Sequence, residues 1–395
     1  MSWAKSELAS ICDVFADGDW IETKDQSENG IRLIQTGNVG FGKFKLRDSK
    51  ARYISEETFK RLRCTEIKQG DILISRLPDP VGRACVIPEL NVKSITAVDC
   101  TIIRTNKKII NTEYLNYFCQ SYEYFEQIKK NITGATRQRI SRNLLGKIEV
   151  PIPPLPIQQK IVEKLDAIFA EIDKAAVSVE ENVKNAEALF KSYLSEVFKR
   201  GGEDWKLSTL GEYYDVRDGT HDSPKFQDFG YPLVTSKNLK DGNITFEKIK
   251  YISKDDFLNI SQRSGVKKND VLMAMIGTIG NPVVVDTDDE FAIKNVALFK
   301  TNNSQSSKFL SYYLSSDYVI KKMEKDCKGT TQKFVGLGYL RSFPIKIPNK
   351  NTQEKVVQTL SENEKYIKIL LKSYVQKLNE ILYLKNSILK QAFNG

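Results

Sequence analysis

The sequence predicts an α+β protein in which two tandem mixed α/β domains are separated by two long helices that form an antiparallel coiled coil, with a pseudo-two-fold internal repeat. Three observations indicate this fold class. The chain has 395 residues, which is more than one ordinary domain contains. Its two halves repeat each other. Each half ends in a long segment whose apolar residues have the spacing of a coiled coil.

The internal repeat is visible in short blocks that recur in the same order. Residues 30–38 (GIRLIQTGN) match residues 230–238 (GYPLVTSKN), and residues 67–73 (IKQGDIL) match residues 266–272 (VKKNDVL). Blocks that keep their order and their separation along a chain indicate that one structural unit has been duplicated.

Each half begins with strands and continues into a helix. From residue 31 to residue 103, and again from residue 232 to residue 299, short β-branched runs alternate with Gly, Asn, Pro and Asp turns. This alternation is typical of strands in a mixed domain. Residues 112–131 and 307–326 carry large apolar side chains at helical spacing, so we predict one helix late in each domain.

Proline-containing segments mark the end of each domain. Residues 150–156 (VPIPPLP) and residues 344–348 (PIKIP) fit neither the middle of a strand nor the interior of a helix. A glutamine follows each segment, at Gln158 and Gln353. The predicted organisation is an N-terminal domain over 1–154, a long helix over 155–201, a C-terminal domain over 202–350 and a second long helix over 351–395.

The two long helices carry a heptad pattern in the same register. Asn182 and Lys377 fall on seam positions, where a polar residue fixes register at a cost in stability. The alternative is a generic helical hairpin between unrelated domains, and the joint duplication of domain and helix argues against it. The predicted seam residues are Ile161, Leu165, Ile168, Ile172, Val179, Asn182, Leu360, Ile367, Tyr374, Lys377, Ile381 and Ile388.

Composition indicates a polyanionic partner. The chain has 60 Lys and Arg residues against 50 Asp and Glu residues, which gives a net charge of +10. The six cysteines are scattered without a C-x-x-C pair, so we expect reduced thiols. No secretion signal and no long apolar run is visible in the sequence, so we expect a soluble cytoplasmic protein without membrane contact.

A search for catalytic motifs finds none that is complete. Residues 37–43 (GNVGFGK) resemble a phosphate-binding loop, but Phe44 stands where a metal-binding hydroxyl is needed. Residues 152–155 (IPPL) lack both ends of the turn with which an adenine methyltransferase grips its flipped base. His221 is the one histidine of the chain, which leaves no partner for a Ser-His-Asp or metal site built on histidines. We therefore predict no catalytic residue and no metal site.

Basic clusters in matching places of the two halves predict contact with DNA. Lysines and arginines contact phosphates, whereas Arg, Asn and Gln at loop tips pair with base edges. Each cluster alone could equally be a solvated surface, and His221 could be an ordinary turn residue. The predicted DNA-binding residues are Asn38, Lys43, Lys45, Arg47, Ser75, Arg76, Arg83, Arg137, Gln138, Arg139, Arg142, Arg217, Thr220, His221, Lys225, Lys237, Asn238 and Lys333.

These features together resemble a known family. The junction formed by residues 134–141 (GATRQRIS) and 148–162 (IEVPIPPLPIQQKIV), the final helix ending in residues 387–395 (SILKQAFNG), and the opening 218–225 (DGTHDSPK) carry the resemblance. With the duplicated plan of domain and helix, the chain resembles the DNA specificity subunits of type I restriction-modification enzymes. The second junction, residues 344–351, lacks the Pro-Pro-Leu-Pro run.

The resemblance implies a division of labour between subunits. Each domain would be a target recognition domain that binds one half of an asymmetric bipartite DNA sequence, and the helices would set the gap between the halves. Two methyltransferase (modification) subunits would bring S-adenosylmethionine, and two restriction subunits, where present, would bring ATP and Mg²⁺. The chain itself would be a non-catalytic prokaryotic cytoplasmic subunit that binds no cofactor directly.

Two other functions remain open from the sequence. A coiled-coil scaffold, or a duplicated DNA-binding adaptor without a role in restriction, would have the same plan. A solitary methyltransferase or nuclease fused to such domains would be an enzyme, but it would need the catalytic motifs that the sequence lacks.

Overall fold

The computed structural model describes residues 3–134, 136–277, 279–326 and 334–393. The chain divides into two compact units. Unit 1 comprises Met1–Val179 with Gln376–Gly395, and unit 2 comprises Glu180–Val375. Each unit therefore contains one globular domain together with part of both long helices.

Unit 1 contains the first globular domain and the start of the first long helix. Its elements, in chain order, are β1 (Lys5–Glu7), β2 (Cys12–Asp17), β3 (Gln26–Ser27), β4 (Ile31–Ile34), β5 (Tyr53–Ile54), α1 (Glu56–Leu62), β6 (Ile72–Ser75), β7 (Ala84–Val86), β8 (Ser94–Thr96), β9 (Cys100–Thr105), α2 (Thr112–Phe118), α3 (Tyr122–Lys130), α4 (Arg142–Gly146), β10 (Glu149–Pro151) and the beginning of α5 (Leu155–Arg200).

Unit 2 begins within α5 and contains the second globular domain. Its further elements are β11 (Lys206–Thr209), α6 (Leu210–Tyr213), β12 (Asp215–Asp218), β13 (Tyr231–Thr235), β14 (Leu239–Lys240), β15 (Asn243–Ile244), β16 (Lys250–Ile252), α7 (Lys254–Ser264), β17 (Val271–Ala274), β18 (Gly280–Val284), β19 (Ala292–Lys294), β20 (Val296–Lys300), α8 (Ser307–Ser315), α9 (Asp317–Asp326), α10 (Leu337–Ser342), β21 (Pro344–Ile347) and the beginning of α11 (Lys350–Phe393), which ends in unit 1.

Sheet topology confirms the predicted internal repeat. The four-stranded sheet β2-β9-β6-β7 of unit 1 has the same strand order as the sheet β12-β20-β17-β18 of unit 2. In both units a second sheet contains one parallel pair, β4 with β8 and β13 with β19. The domain entry pairs with its exit in both cases, as β1 with β10 and β11 with β21. The predicted fold class is therefore confirmed.

One inner strand of each four-stranded sheet, β6 in unit 1 and β17 in unit 2, is buried on both faces. In β6, Ile72 and Ile74 face the core beneath the helices, whereas Leu73 faces a second core towards the other sheet. In β17, Val271 and Met273 likewise face the helices. Alternate residues of a strand point to opposite faces, so a continuous apolar run is required where both faces are covered.

The structure corrects the single helix that was predicted late in each domain. Residues 112–131 form two helices, α2 and α3, because Ser121 caps α3 by accepting a hydrogen bond from the Tyr124 N–H at 3.2 Å. Residues 307–326 divide at Ser316 into α8 and α9 in the same way. A serine with extended backbone competes with the helix and starts a new one.

A buried glutamine joins each long helix to its domain. The Gln158 side chain donates to the carbonyls of Ile109 (3.0 Å) and Pro153 (2.8 Å) and accepts from the Asn111 N–H (2.7 Å). Gln353 repeats this arrangement, since it donates to the Pro348 carbonyl (3.0 Å) and accepts from the Ser306 N–H (3.1 Å). Both side chains are fully buried with these partners. The matched glutamines in the sequence thus fix the first turn of each helix against its domain.

The seam of the long helices lies partly one residue away from the predicted positions. Predicted seam residues that are buried or half-buried are Ile161, Leu165, Ile172, Val179, Leu360, Ile367, Tyr374, Ile381 and Ile388. Ile168 is exposed, and its neighbour Phe169 is buried instead. The Phe169 ring contacts Tyr117 edge-on at 5.6 Å, so the larger side chain occupies the inward position.

The expected polar seam positions are also corrected. Asn182 and Lys377 are exposed, whereas their neighbours Val183 and Leu378 are half-buried. With two adjacent candidates at each step, spacing alone could not decide which one faces inward. The prediction that Asn182 and Lys377 fix the helix register from the seam is therefore wrong.

An aromatic residue at the end of a long helix completes the core of each unit. Phe393, the last residue of α11, lies 5.2 Å from the Tyr114 ring and 5.5 Å from the Phe118 ring in unit 1. Phe198 near the end of α5 has the same place in unit 2, 5.3 Å from Phe309 and 5.4 Å from Tyr313. The core of the first globular domain therefore includes the end of α11.

We predict that Phe393→Ala lowers the free energy of unfolding of unit 1 by about 3 to 5 kcal/mol, because it leaves a cavity between two buried rings. Amide hydrogen exchange at Tyr114 and Phe118 should accelerate while exchange in unit 2 stays unchanged. Phe198→Ala should give the opposite distribution between the units. The exposed Tyr383→Ala is the control, and an equal effect of Phe393→Ala on both units would contradict the prediction.

Candidate nucleic-acid interface

Four loops of unit 1 meet at one end of its four-stranded sheet. They are residues 17–20 at the end of β2, residues 76–83 between β6 and β7, residues 97–99 between β8 and β9, and residues 133–134 with 136–141 before α4. We call them loop cluster 1. They meet because β2, β6 and β9 are hydrogen-bonded neighbours whose ends coincide, with Asp17 opposite Thr101 and Ser75 opposite Cys100.

Asp17 organises loop cluster 1 electrostatically. Its carboxylate lies 3.2 Å from the Arg76 guanidinium and 3.7 Å from that of Arg142. The Arg76 side chain also donates to the Val98 carbonyl at 2.6 Å, and its own carbonyl accepts from the Ile140 N–H at 3.3 Å. One buried arginine thus connects all four loops, which explains why Arg76 is only 4 % exposed.

Arg83 is a second buried arginine that holds backbone. Its guanidinium donates to four carbonyls, those of Thr36 (2.8 Å), Val39 (2.8 Å), Leu77 (2.7 Å) and Pro80 (3.1 Å). These hydrogen bonds join the 36–39 segment to loop cluster 1. A buried guanidinium is stable only when its donors are satisfied in this way.

Ser75, Asn38 and Asn238 also act within the protein. The Ser75 hydroxyl donates to the Leu77 carbonyl at 3.1 Å. Asn38 accepts from the Gln35 N–H at 3.0 Å and donates to the Lys45 carbonyl at 2.9 Å. Asn238 makes the matching pair of bonds in unit 2. All three are buried, so these predicted base contacts have their polar groups occupied by protein partners.

The remaining predicted residues of unit 1 reach solvent. Arg137, Gln138 and Arg139 are exposed in loop cluster 1, and the Arg142 side chain is 46 % exposed at the start of α4. Lys43, Lys45 and Arg47 are exposed on the neighbouring loop, although Lys43 pairs with Asp173 of α5 at 2.8 Å.

A concave site lies on that neighbouring loop. It is a pocket of about 460 Å³ lined by Gln35, Asn38, Arg47, Lys50, Ala51 and Arg52. Three of these six residues are cationic, so the pocket suits an anion such as a phosphate.

Unit 2 contains the equivalent loops, which we call loop cluster 2. They are residues 218–223 after β12, residues 275–277 after β17, Asn295 between β19 and β20, and residues 334–336 before α10. Val335 donates its N–H to the Met275 carbonyl at 3.0 Å, as Ile140 does to Arg76 in unit 1. Residues 327–333 precede this segment, so the predicted residue Lys333 lies outside the described residues.

Asp218 is the counterpart of Asp17 but has different partners. Its buried carboxylate forms an ion pair with Arg263 of α7 and contacts the His221 Nε2 at 2.9 Å. The His221 Nδ1 lies 2.9 Å from the Asn295 Oδ1. The same acidic anchor is therefore retained in both units while the cation comes from a different element.

The other predicted residues of unit 2 differ in accessibility. Lys225 and Lys237 are exposed, whereas Thr220 is half-buried and bridges to Lys294. Arg217 is bound within the protein, because its guanidinium pairs with Asp215 at 2.6 Å and donates to the Arg263 carbonyl at 3.1 Å.

One further acid in loop cluster 1 has an altered pKa. Burial raises the pKa of the Asp19 carboxyl to about 6, although the Thr65 N–H and the Cys64 thiol donate to it. The Thr65 N–H donates to Asp19 at 3.1 Å. Asp19 thus anchors the loop that follows β2 to the segment after α1.

In the described part of the chain, every helix is too short or too polar to cross a membrane. In the same part of the chain, no group of three or more His, Cys, Asp or Glu side chains has the arrangement of a metal site.

Comparison with known proteins identifies the family. The family model for the type I restriction modification DNA specificity domain matches residues 1–180 and 202–385. The chain belongs to this family. The two matched regions are the two copies of the repeat, and each contains one of the loop clusters.

Individual relatives of this specificity family agree. The chain is 23 % identical over 310 residues to the type I restriction enzyme MjaVIII specificity subunit of Methanocaldococcus jannaschii, which covers 73 % of this chain and 71 % of that protein. It is 21 % identical over 401 residues to the EcoKI specificity subunit of Escherichia coli, which covers 94 % of this chain and 84 % of that protein.

Solved structures show the same fold. A chain from a study of complex assembly and conformational transition of the type I R-M system has a TM-score of 0.75 at 20 % identity, covering 99 % of this chain and 97 % of that one. The HsdS subunit from Thermoanaerobacter tengcongensis has a TM-score of 0.57 at 20 % identity, covering 100 % of this chain and 97 % of that one.

The raised pKa of Asp19 predicts a pH dependence of stability. A carboxyl group with a raised pKa binds its proton more tightly in the folded state, so its contribution is complete at low pH and is lost as pH rises through about 6. Asp19→Asn cannot ionise and should not lose this contribution. We therefore expect the melting temperature of the wild type to fall relative to Asp19→Asn between about pH 4 and pH 7. A constant difference across this range would contradict the prediction.

Proposed function

We propose that this chain is the DNA specificity subunit of a type I restriction-modification complex and that each of its two domains binds one half of an asymmetric bipartite DNA sequence. The observation that carries the proposal is the duplicated loop cluster. Each copy is built on a four-stranded sheet of the same strand order, with an acidic anchor at Asp17 or Asp218, but the two copies present different side chains to solvent. A repeated frame with divergent loops suits two different half-sites.

The residues divide into contacts and supports. Arg137, Gln138 and Arg139 are exposed in loop cluster 1, and such side chains pair with base edges in the major groove. Exposed lysines outside the clusters, such as Lys225 and Lys237, suit the phosphate backbone. A second set is buried and holds the backbone of nearby segments by hydrogen bonds: Asn38, Ser75, Arg76, Arg83 and Asn238.

The subunit recognises DNA and leaves the chemistry to its partners. Its single histidine contacts Asp218 and Asn295 through both ring nitrogens, which suits a loop-holding role better than proton transfer. S-adenosylmethionine, ATP and Mg²⁺ would bind to partner subunits. The archaeal and bacterial relatives support the cytoplasm of a prokaryote as its location.

Two modification subunits would dock on the long helices. Large apolar side chains are exposed there without an intramolecular role in the seam, and such patches mark protein interfaces. In α11, Tyr366, Ile369 and Leu370 share one face at spacings of three and four residues, beside the half-buried Ile367. Exposed apolar residues of the two long helices include Val177, Leu189, Tyr366, Ile369, Leu370, Val375, Leu382, Tyr383 and Leu384. Two restriction subunits, where the complex has them, would join this assembly.

Methylation mapping tests the proposed function directly. The chain is expressed with its modification subunit in a methylation-free host, and the genome is sequenced by a method that detects methyladenine. We expect one bipartite motif with methyladenine in both halves. A continuous motif would contradict the two-domain mode of binding, and the absence of any motif would favour an adaptor without a role in modification.

Arginine substitutions test the division between contacts and supports. Arg139→Ala should weaken binding to the mapped target by about tenfold to a hundredfold more than binding to random duplex, because base contacts carry the specificity. Its melting temperature should stay close to that of the wild type. Arg83→Ala should instead lower the free energy of unfolding by about 3 kcal/mol or more, because it leaves buried carbonyls without donors.

Binding is measured at several salt concentrations, since each phosphate contact contributes a slope of roughly −0.9 to the plot of log K against log salt. Equal loss on target and random duplex would reassign Arg139 to phosphate contact. Normal stability of Arg83→Ala would contradict its supporting role.

A further inference from the structure

Trp20 is a large exposed aromatic residue of loop cluster 1 that is not among the predicted DNA-binding residues. Trp20 is 70 % exposed. The polar contact described for it is a long hydrogen bond from the indole N–H to Glu22 at 3.4 Å. Large aromatic residues contribute much of the binding energy when they become buried in an interface. An indole with this exposure is therefore a candidate for contact with a binding partner.

The backbone beneath Trp20 is firmly held. The Gly18 N–H donates to the Cys100 carbonyl, and the Asp19 N–H donates to the Thr96 carbonyl, both at 2.8 Å. A β-carbon at Gly18 would come within 2.3 Å of the Ala97 carbonyl oxygen, so this close approach requires glycine. The ring is therefore presented from a fixed backbone, which lowers the entropy lost on binding.

Trp20 belongs to the same loop as the acidic anchor of loop cluster 1. Asp17, three residues earlier, holds Arg76 and Arg142, and Asp19 forms a bridge with Ala97 in the adjacent loop. Of these two arginines, Arg76 is buried and the Arg142 side chain is 46 % exposed. A loop cluster that carries both an exposed arginine and an exposed aromatic ring suits nucleic acid, since the cation contacts phosphate or base edges and the ring contacts an apolar surface.

The second unit has a ring at the equivalent position. Gly219 matches Gly18, because its N–H also bonds across to β20 and a β-carbon there would also come within 2.3 Å of a carbonyl, that of Ile293. His221 lies two residues after Gly219, as Trp20 lies two residues after Gly18, so His221 matches Trp20. His221 is half exposed and presents a polar ring held by Asp218 and Asn295. The two clusters thus differ in this ring in the way that two different half-sites would require.

We infer that Trp20 is a specificity-determining residue of unit 1 that makes apolar contact with a base in the half-site bound by this unit. The inference rests on the proposed function and assigns a base contact that the basic clusters do not supply. Two features of DNA offer the required surface. One is the thymine methyl group in the major groove, and the other is the face of an unstacked base.

The test uses the full chain and duplexes that carry the target found by methylation mapping. Trp20→Ala should weaken binding to the target by roughly tenfold to a hundredfold, with little change on random duplex. Trp20→Phe retains an aromatic face and should recover most of the affinity. Val92→Ala is the control, because Val92 is an exposed apolar residue of unit 1 just before β8, at the opposite end of that strand from loop cluster 1.

Base substitutions identify the surface that is contacted. Deoxyuridine replaces each thymine in turn, which removes the methyl group alone. If the contact is the methyl group, one replacement should lower wild-type affinity and leave Trp20→Ala unaffected. If the contact is a base face, no such replacement acts, and target duplex should quench tryptophan fluorescence in the wild type but not in Trp20→Phe. Both outcomes support the inference.

Failure of the inference about Trp20 can be distinguished from failure of the proposed function. Wild-type affinity of Trp20→Ala for the target, with melting temperatures unchanged, would overturn the role of Trp20 while leaving the proposed function intact. A Trp20→Ala variant that binds DNA normally but no longer supports methylation would also overturn it, and would make Trp20 a contact for the modification subunit. A wild type without preference for any target would overturn both the proposed function and this inference.

Discussion

The structure depends on sharing apolar cores between the globular domains and the ends of the long helices. Leu165 and Phe169 from α5, with Leu389 and Phe393 from α11, belong to the same core as the helices α2 and α3. Neither part could bury its apolar surface alone, because the helices are amphipathic and each domain leaves one side of its core open. The helix ends are therefore structural parts of the domains.

Polar contacts add direction to this apolar packing. Gln158 and Gln353 satisfy backbone groups on both sides of each junction, so each helix leaves its domain from one defined position. Apolar burial is not directional, whereas a buried amide with three partners tolerates little displacement. In each unit, the loop cluster and the helix are thereby held on one common frame.

Loop clusters 1 and 2 combine a common frame with different exposed side chains. The acidic anchor, the close-packed glycine after it and the strand order are common to both. The cation that pairs with the anchor comes from the loop after β6 in unit 1 and from α7 in unit 2. The buried residues of the frame are alike in the two units, whereas the exposed side chains of the loops differ. Exposed side chains of this kind can change without loss of the fold.

The sequence alone determined the duplication, the order of domains and helices, and the matched junctions, because apolar periodicity and proline placement are local properties of the chain. It also located the loops that carry Arg76 and Arg139. It could not decide between neighbours such as Ile168 and Phe169, since both are apolar and only packing against Tyr117 selects one. The sequence also could not show that Arg83 is buried and Arg139 is exposed.

Only the tertiary structure decided which polar residues support the loops and which reach solvent. Arg83 is buried because four carbonyls from two loops converge on it, and Trp20 is exposed because its backbone is anchored while its ring is left uncovered. Both outcomes depend on contacts between segments that are distant in sequence. Residue type and spacing do not contain that information.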